Sequence, residues 1–291
     1  MRVSLLYNPT AGEGDAPHPL PEMLTRHGHD VVTVVDDKQQ AEQRLLAQPC
    51  DLVVAAGGDG TVGLAARAVA HRGVPMAILP LGTANNIALT LGIEGSIDEL
   101  IAGWHSGRYR PIDIGQADGG WGRRAFIESL GSGLMAAAIA EAASLPSEQL
   151  TQPLSNLTRT AQLYRRALDK LQPRRGVIIV DGERLEDEFL LIEVLNMRFI
   201  GPNLVFAQEA DPSDGAFSIA VARSDERSAL DDYLRHRLEG TDSPLALNSY
   251  SGRRIQLDHP HRLHIDDQLC EADANGPVSL EISGQAVTVL V

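Results

Sequence analysis

Five consecutive residues, Gly57-Gly58-Asp59-Gly60-Thr61, combine the types that chemistry on a phosphate requires. Glycines carry no Cβ, so backbone N–H groups can approach phosphate oxygens closely. If a helix opens here, its first N–H groups are unpaired and its dipole end is positive. Asp59 can hold a metal or accept a proton from an attacking hydroxyl. Thr61 adds a short hydroxyl donor. The bland alternative is a glycine turn that merely joins a strand to a helix.

The surrounding elements decide between these readings. Residues 51–56, DLVVAA, read as a buried strand running straight into the glycines, and residues 62–71 read as the helix that follows. Residues 2–7, 30–35 and 74–79 read as further strands. Residues 20–27 and 39–47 read as helices between them. Strand and helix alternate as in a parallel sheet covered on both faces. In such sheets ligands sit at the carboxyl ends of the strands. A second glycine-bearing loop, Pro80-Leu81-Gly82, closes the fourth strand on that same edge.

After about residue 113 the texture changes. Short strands at 177–180, 189–195, 217–222, 254–257 and 263–265 alternate with turn signals such as Asp181-Gly182 and Asp214-Gly215. This predicts an antiparallel sandwich or barrel, with a last strand at 285–291 entered through Gly284. Inside it, residues 154–171 carry apolar side chains at helical spacing, with Arg159, Arg165, Arg166 and Lys170 on the other faces. That helix is either a surface element packed on the sandwich or a membrane-facing one.

The chain has 291 residues and a formal net charge of −14. Such a balance argues against a nucleic-acid partner, which needs a basic face. The two cysteines, Cys50 and Cys270, have no metal-ligand spacing and suit a reducing cytoplasm. No signal peptide is visible, and no apolar run approaches the ~20 residues that span a bilayer. His259, His261 and His264 lack a matched ligand set for a metal, and Asn156-Leu157-Thr158 is a chance sequon.

Four stretches then carry a resemblance. Gly57-Gly58-Asp59-Gly60-Thr61 resembles the GGDGT signature of diacylglycerol kinases, sphingosine kinases and bacterial lipid kinases. Asn8-Pro9-Thr10-Ala11-Gly12 resembles the family's opening NPxxG. Pro80-Leu81-Gly82-Thr83-Ala84-Asn85-Asn86 resembles its PxGTxND, with Asn86 in place of the Asp. Asp211-Pro212-Ser213-Asp214-Gly215-Ala216 resembles a DxxDG-type turn. The match covers the chain from residue 5 onward.

The resemblance implies an α/β N-terminal domain with Rossmann-like layering and an all-β sandwich C-terminal domain, with the site in the cleft between them. The expected domains are 1–114, joined by a returning strand at about 286–291, and 115–285, with the helical insertion at about 154–171. Asn8, Gly57, Gly58, Asp59, Gly60, Thr61 and Thr83 are expected to face ATP. Asp211, Asp214 and the carbonyl of Ala216 are expected to bind Mg2+, a hard cation suited to oxygen ligands. The implied activity is ATP-dependent phosphorylation of a lipid hydroxyl, diacylglycerol by default, in a cytoplasmic protein that visits the membrane surface. An oligomer is compatible with this reading.

Two departures stand out. The family continues GGDGT with a hydrophobic residue and Asn-Glu, where this chain has Val62-Gly63-Leu64. The family's DGE motif, whose Glu is its proposed general base, aligns with Asp266-Asp267-Gln268. A glutamine cannot take a proton. Asp59, Asp266 and Gln268 are therefore the catalytic candidates. Asp59 with a metal suffices, or the enzyme is slow, or the chain is a binding homologue without turnover. A kinase of a soluble substrate such as NAD is the further alternative.

Overall fold

The computed structural model describes residues 1–8, 18–144, 157–241, 245–258, 262–271 and 276–291. They divide into two compact units, Met1–Asp113 with Gly284–Val291, and Ile114–Ser283.

In the first unit the elements run β1 (Arg2–Tyr7), α1 (Leu20–Arg26), β2 (Asp30–Val35), α2 (Ala41–Arg44), β3 (Leu52–Gly57), α3 (Asp59–Val69), β4 (Met76–Pro80), α4 (Asn86–Leu91) and α5 (Ile97–Gly103). The strands pair in parallel in the order β2-β1-β3-β4. Every residue of β3 is buried, as expected of a strand covered on both faces. Leu52, Val54 and Ala56 face one core with Leu20, Leu24 and Trp104. Val53 and Ala55 are equally buried on the opposite face, where α3 packs on β3. The period-2 alternation of the strand thus puts apolar side chains on both sides.

The second unit contains β5 (Tyr109–Gly119, entering from the first unit), β6 (Gly122–Phe126), β7 (Ser129–Gly133), α6 (Leu134–Ala143), α7 (Leu157–Lys170), β8 (Arg174–Val180), β9 (Glu183–Leu195), β10 (Phe217–Arg223), α8 (Arg227–Leu238), β11 (Asn248–Gly252), β12 (Arg254–Asp258), β13 (Arg262–Ile265), β14 (Gln268–Glu271) and the start of β15 (Val278–Leu290, which belongs to the first unit from Gly284 onward). Its strand pairs are antiparallel. Strand β10 divides two cores cleanly. Phe217, Ile219 and Val221 pack into the layer with Phe126 and Phe189. Ala220 and Ala222 face the helices, beside Tyr164 and Leu234.

The last strand is longer than its sequence suggests. Residues 278–281 pair with β12, and Val289 and Leu290 pair in parallel with β4. Between them Gln285 takes φ 50°, and its N–H donates to the buried Asp113 carboxylate at 2.6 Å. The helix expected at 39–47 is shorter. The Asp37 side chain accepts from the Gln39 N–H and starts a 3-10 turn, Lys38–Gln40, before α2. Residues 154–156 of the expected basic helix lie outside the described residues, and α7 forms 157–170, one residue short of the expected end.

A fully buried ion pair sits in the second unit. Glu193 of β9 and His264 of β13 are both 0% exposed, with Nε2 2.9 Å from Oε1. Burial disfavours the charged imidazole, but the Glu193 carboxylate and the Asp266 carbonyl outweigh it and hold the His264 pKa above its ordinary value. The Tyr164 hydroxyl is pushed well above its usual range by burial and by the negative charges of Glu193 and Glu128. A raised histidine pKa stabilises the fold fully below the unfolded value, about 6.5, and loses that stabilisation as pH rises through the folded value. Glu193→Gln should lower stability by about 1–3 kcal/mol at pH 6. Thermal unfolding between pH 6 and 9 should show the gap to the native chain narrowing as pH rises. A gap that is constant or widens would contradict a charged pair.

Candidate functional site

The glycine loop joins β3 to α3, as its residue types suggest. Gly58 caps α3 in an extended conformation, φ −85°. Its carbonyl accepts from the Thr61 and Val62 N–H groups at 2.9 and 3.1 Å. No side chain caps the helix, so the dipole of this 11-residue helix points its positive end at the loop. Gly60 is exposed there.

The second loop is pressed against the first. A Cβ on Gly82 would lie 2.3 Å from the Cα of Gly58, a distance that real atoms do not adopt. A Cβ on Gly58 would meet Gly82 at 3.2 Å. The Leu81 N–H donates to the Gly57 carbonyl at 3.1 Å. Asn85, in the left-handed region at φ 51°, folds its own loop: Oδ1 accepts from the Gly82 N–H at 2.9 Å and Nδ2 donates to the Gly82 carbonyl at 2.8 Å. Two backbones therefore meet with no side chain between them.

Asp59 ties the two helices that start here. Its Oδ1 accepts from the Ile87 N–H at 3.0 Å, satisfying a donor in the first turn of α4. Thr61 is 2% exposed and its hydroxyl has no hydrogen-bond partner among the described residues. Thr83 is exposed on the second loop. Asn8 follows β1, and its N–H donates to the Ala56 carbonyl at 3.0 Å. Asn8, residues 57–61 and Thr83 thus gather at the carboxyl ends of β1, β3 and β4. Residues 9–12 of the first motif lie outside the described residues.

The candidates in the second unit fall in two places. Asp266, at φ 51°, turns the β13–β14 hairpin. Its Oδ1 accepts from the Ile127 and Glu128 N–H groups at 3.1 and 2.8 Å. Its N–H donates to the Ser129 carbonyl at 2.8 Å, and its own carbonyl lies 2.8 Å from His264 Nδ1. Asp266 is thereby a turn-fixing carboxylate. Gln268, next on the hairpin, is exposed.

Asp211, Asp214 and Ala216 share one turn before β10. The Asp211 Oδ1 accepts from the Ser213 N–H and the Asp214 Oδ1 from the Ala216 N–H, both at 2.9 Å. Both aspartates are exposed. Two carboxylates and a carbonyl are a donor set suited to a hard cation with water completing its shell. Among the described residues, no cluster of three or more His, Cys, Asp and Glu side chains could hold a metal. His259 and His261 lie outside the described residues, and His264 is committed to Glu193.

The basic stripe of α7 is partly neutralised. Arg165 makes two hydrogen bonds to Asp231 of α8, at 2.7 and 3.0 Å, and Lys170 pairs with Glu141 of α6 at 2.7 Å. Sequence reading missed Asn85 and Glu193. The signal for Glu193 was present: it is the single charge inside the apolar run Phe189–Leu195. No described helix is long and apolar enough to cross a membrane.

Comparison with known proteins finds matches along both parts of the chain. Residues 2–117 match the family described as "Diacylglycerol kinase catalytic domain". Residues 129–291 match the "YegS C-terminal NAD kinase beta sandwich-like domain". The chain is 28% identical over 244 residues to a diacylglycerol kinase of Mycobacterium tuberculosis (strain ATCC 25618 / H37Rv), covering 79% of this chain and 75% of the relative. It is 26% identical over 248 residues to a diacylglycerol kinase of Bacillus subtilis (strain 168), covering 80% and 77%. A solved structure of a diacylglycerol kinase from Bacillus anthracis str. Sterne superposes with a TM-score of 0.75, at 22% identity over 99% of this chain and 96% of that one. The chain belongs to the diacylglycerol kinase catalytic-domain family, in the two-domain form that adds a YegS-type β-sandwich.

Proposed function

We propose that the chain transfers the γ-phosphate of ATP to a lipid hydroxyl, with diacylglycerol as the first acceptor to test. The observation that carries this reading is the bare backbone junction of Gly58 and Gly82 at the start of α3. It presents N–H groups and a positive helix end where phosphate oxygens need them. Gly57, Gly58, Gly60 and Thr61 would hold the phosphates, with Asn8 and Thr83 beside them. Exposed Gly60 and the absence of a capping side chain leave room for an anion.

Mg2+ bound with ATP would offset phosphate charge, and Asp211, Asp214 and the Ala216 carbonyl would hold a structural Mg2+. Asp59 is our choice for orienting metal or acceptor hydroxyl. Asp266 spends Oδ1 on two backbone donors, and Gln268 can hydrogen-bond but not carry a proton. Phosphoryl transfer relies chiefly on positioning and charge stabilisation, so a strong base is dispensable. The reading places the protein in the cytoplasm, reaching its substrate at the membrane surface.

Gln268 also favours a second reading, a homologue that binds nucleotide and lipid without turnover. Radiolabelled ATP with Mg2+ and mixed micelles of total lipid extract separates the two. We expect a labelled lipid product, reduced about 100-fold or more in Asp59→Ala. Label incorporated only after Gln268→Glu would favour the binding homologue. Consumption of ATP with NAD and with no lipid would overturn the lipid assignment.

The loop junction makes a separate prediction. Gly82→Ala should cost about 1–3 kcal/mol through backbone displacement and raise the KM for ATP at least 10-fold, taken here as about 1.4 kcal/mol of lost binding. Gly73→Ala, in open space at φ 71°, should cost stability and leave that KM unchanged. Equal effects on KM would refute the junction's role.

A further inference from the structure

A cluster of histidines sits in the first unit, at the end of the sheet opposite the glycine loops. The turn from α1 into β2 carries His27, Gly28 and His29, and the exit of α5 carries Trp104 and His105. Gly28 takes φ 81° in that turn. The His29 N–H then donates to the Leu24 carbonyl at 3.0 Å, and the Asp30 N–H to the Met1 carbonyl at 2.9 Å. With the backbone held so, the His29 ring lies against two others. Its centroid is 5.5 Å from that of Trp104, a core residue, and 5.2 Å from that of the exposed His105. The two imidazoles are stacked, 13° from parallel.

His29 is 3% exposed, and among the described residues neither ring nitrogen has a hydrogen-bond partner. A neutral imidazole carries one N–H and one lone pair, and burying both unpaired costs stability. A phenyl ring would fill similar space without that cost, so packing alone does not call for histidine here. What the imidazole adds is titration near neutral pH. Its surroundings oppose the charged form. Burial acts first, then the positive charges of the Met1 amino group and of protonated His105 and His27, and together they hold the His29 pKa below its ordinary value. The carboxylates of the neighbouring elements do not compensate. Asp98 pairs with His27 at 3.1 Å, Glu99 caps α5 through Ser96, and Glu22 and Asp30 are exposed. Arg2 and Arg26, both exposed, add positive charge at the surface.

We propose that the His29–His105 stack is an acid-operated latch on the first unit: uptake of one proton by His29 drives its ring from Trp104 and opens the corner formed by α1, β2 and the exit of α5. In the closed corner a cation would lie unpaired against a second imidazole. In the open corner the ring reaches water and binds a proton at its ordinary value. Falling pH therefore favours opening. The sign is the reverse of that at His264, whose charged form has the Glu193 carboxylate beside it.

The test is backbone amide hydrogen exchange on the full chain between pH 7.5 and 5, corrected for intrinsic exchange rates. One proton taken up per opening should raise the opening constant of the His29, Asp30 and Trp104 amides about 10-fold for each pH unit below about 6.5. Amides of β3 should open far less often, because only the corner is released. His29→Phe keeps the ring and removes the proton site, so the pH dependence at these amides should vanish. NMR titration of the His29 ring in the native chain gives a second readout, which decides alone if the variant misfolds. The ring should stay neutral well below pH 6.5. Opening that does not change with pH, the same slope in His29→Phe, equal opening of β3, or a His29 ring that titrates at or above its ordinary value would overturn the proposal.

Discussion

Everything at the candidate site depends on the approach of two backbones. Gly58 and Gly82 lie so close that one added carbon on Gly82 would sit 2.3 Å from a Cα. The contact follows from the parallel pairing of β3 and β4, which brings their carboxyl ends side by side. The loops are then stapled by Leu81 to Gly57 and braced by Asn85. A side chain at the junction would separate the loops and cover the N–H groups at the start of α3. Glycine is thus required here by space, since Gly58 itself has an ordinary negative φ.

The same loops carry a second economy. Asp59 starts α3 and, through Oδ1, satisfies a donor at the start of α4. A residue proposed for chemistry therefore also fixes the relative position of two helices. Asp266 in the second unit is bound more tightly, holding two backbone N–H groups while the buried Glu193–His264 pair braces its carbonyl. Buried ion pairs are weak evidence of net stability but costly to break on one side. The hydrogen bonds from the Ile127 and Glu128 N–H groups leave the Asp266 carboxylate engaged in structure.

Much of this was legible in the residues. The strands of the first unit announce themselves as short apolar runs, and the glycine loop falls between strand and helix because β-branched and apolar residues give way abruptly to glycine. The limits are equally physical. Helix α3 begins at Asp59 rather than near Val62, because Gly58 can cap it through backbone alone. Helix α5 carries a readable capping box, Ser96 with Glu99, but it is only seven residues long. Strands β5 to β7 are studded with glycine, including Gly115, Gly131 and Gly133, which weakens a strand pattern. Gly115 and Gly131 are small because Phe126 and the Glu193 carboxylate occupy the space, a long-range fact that no local window contains. The partnership of Glu193 with His264, 71 residues apart, is hidden for the same reason, whereas the bracing of Gly82 by Asn85, three residues away, lay within a local window and was missed.

The central claim is that the junction of the two glycine loops is a phosphate cradle. Backbone amide NMR during titration with ATP and Mg2+ reads it directly, without reference to any acceptor lipid. The claim predicts saturable shifts concentrated at Gly58, Gly60, Thr61 and Gly82. Saturable binding that left these amides unmoved while others shifted, or no binding at millimolar nucleotide, would contradict it.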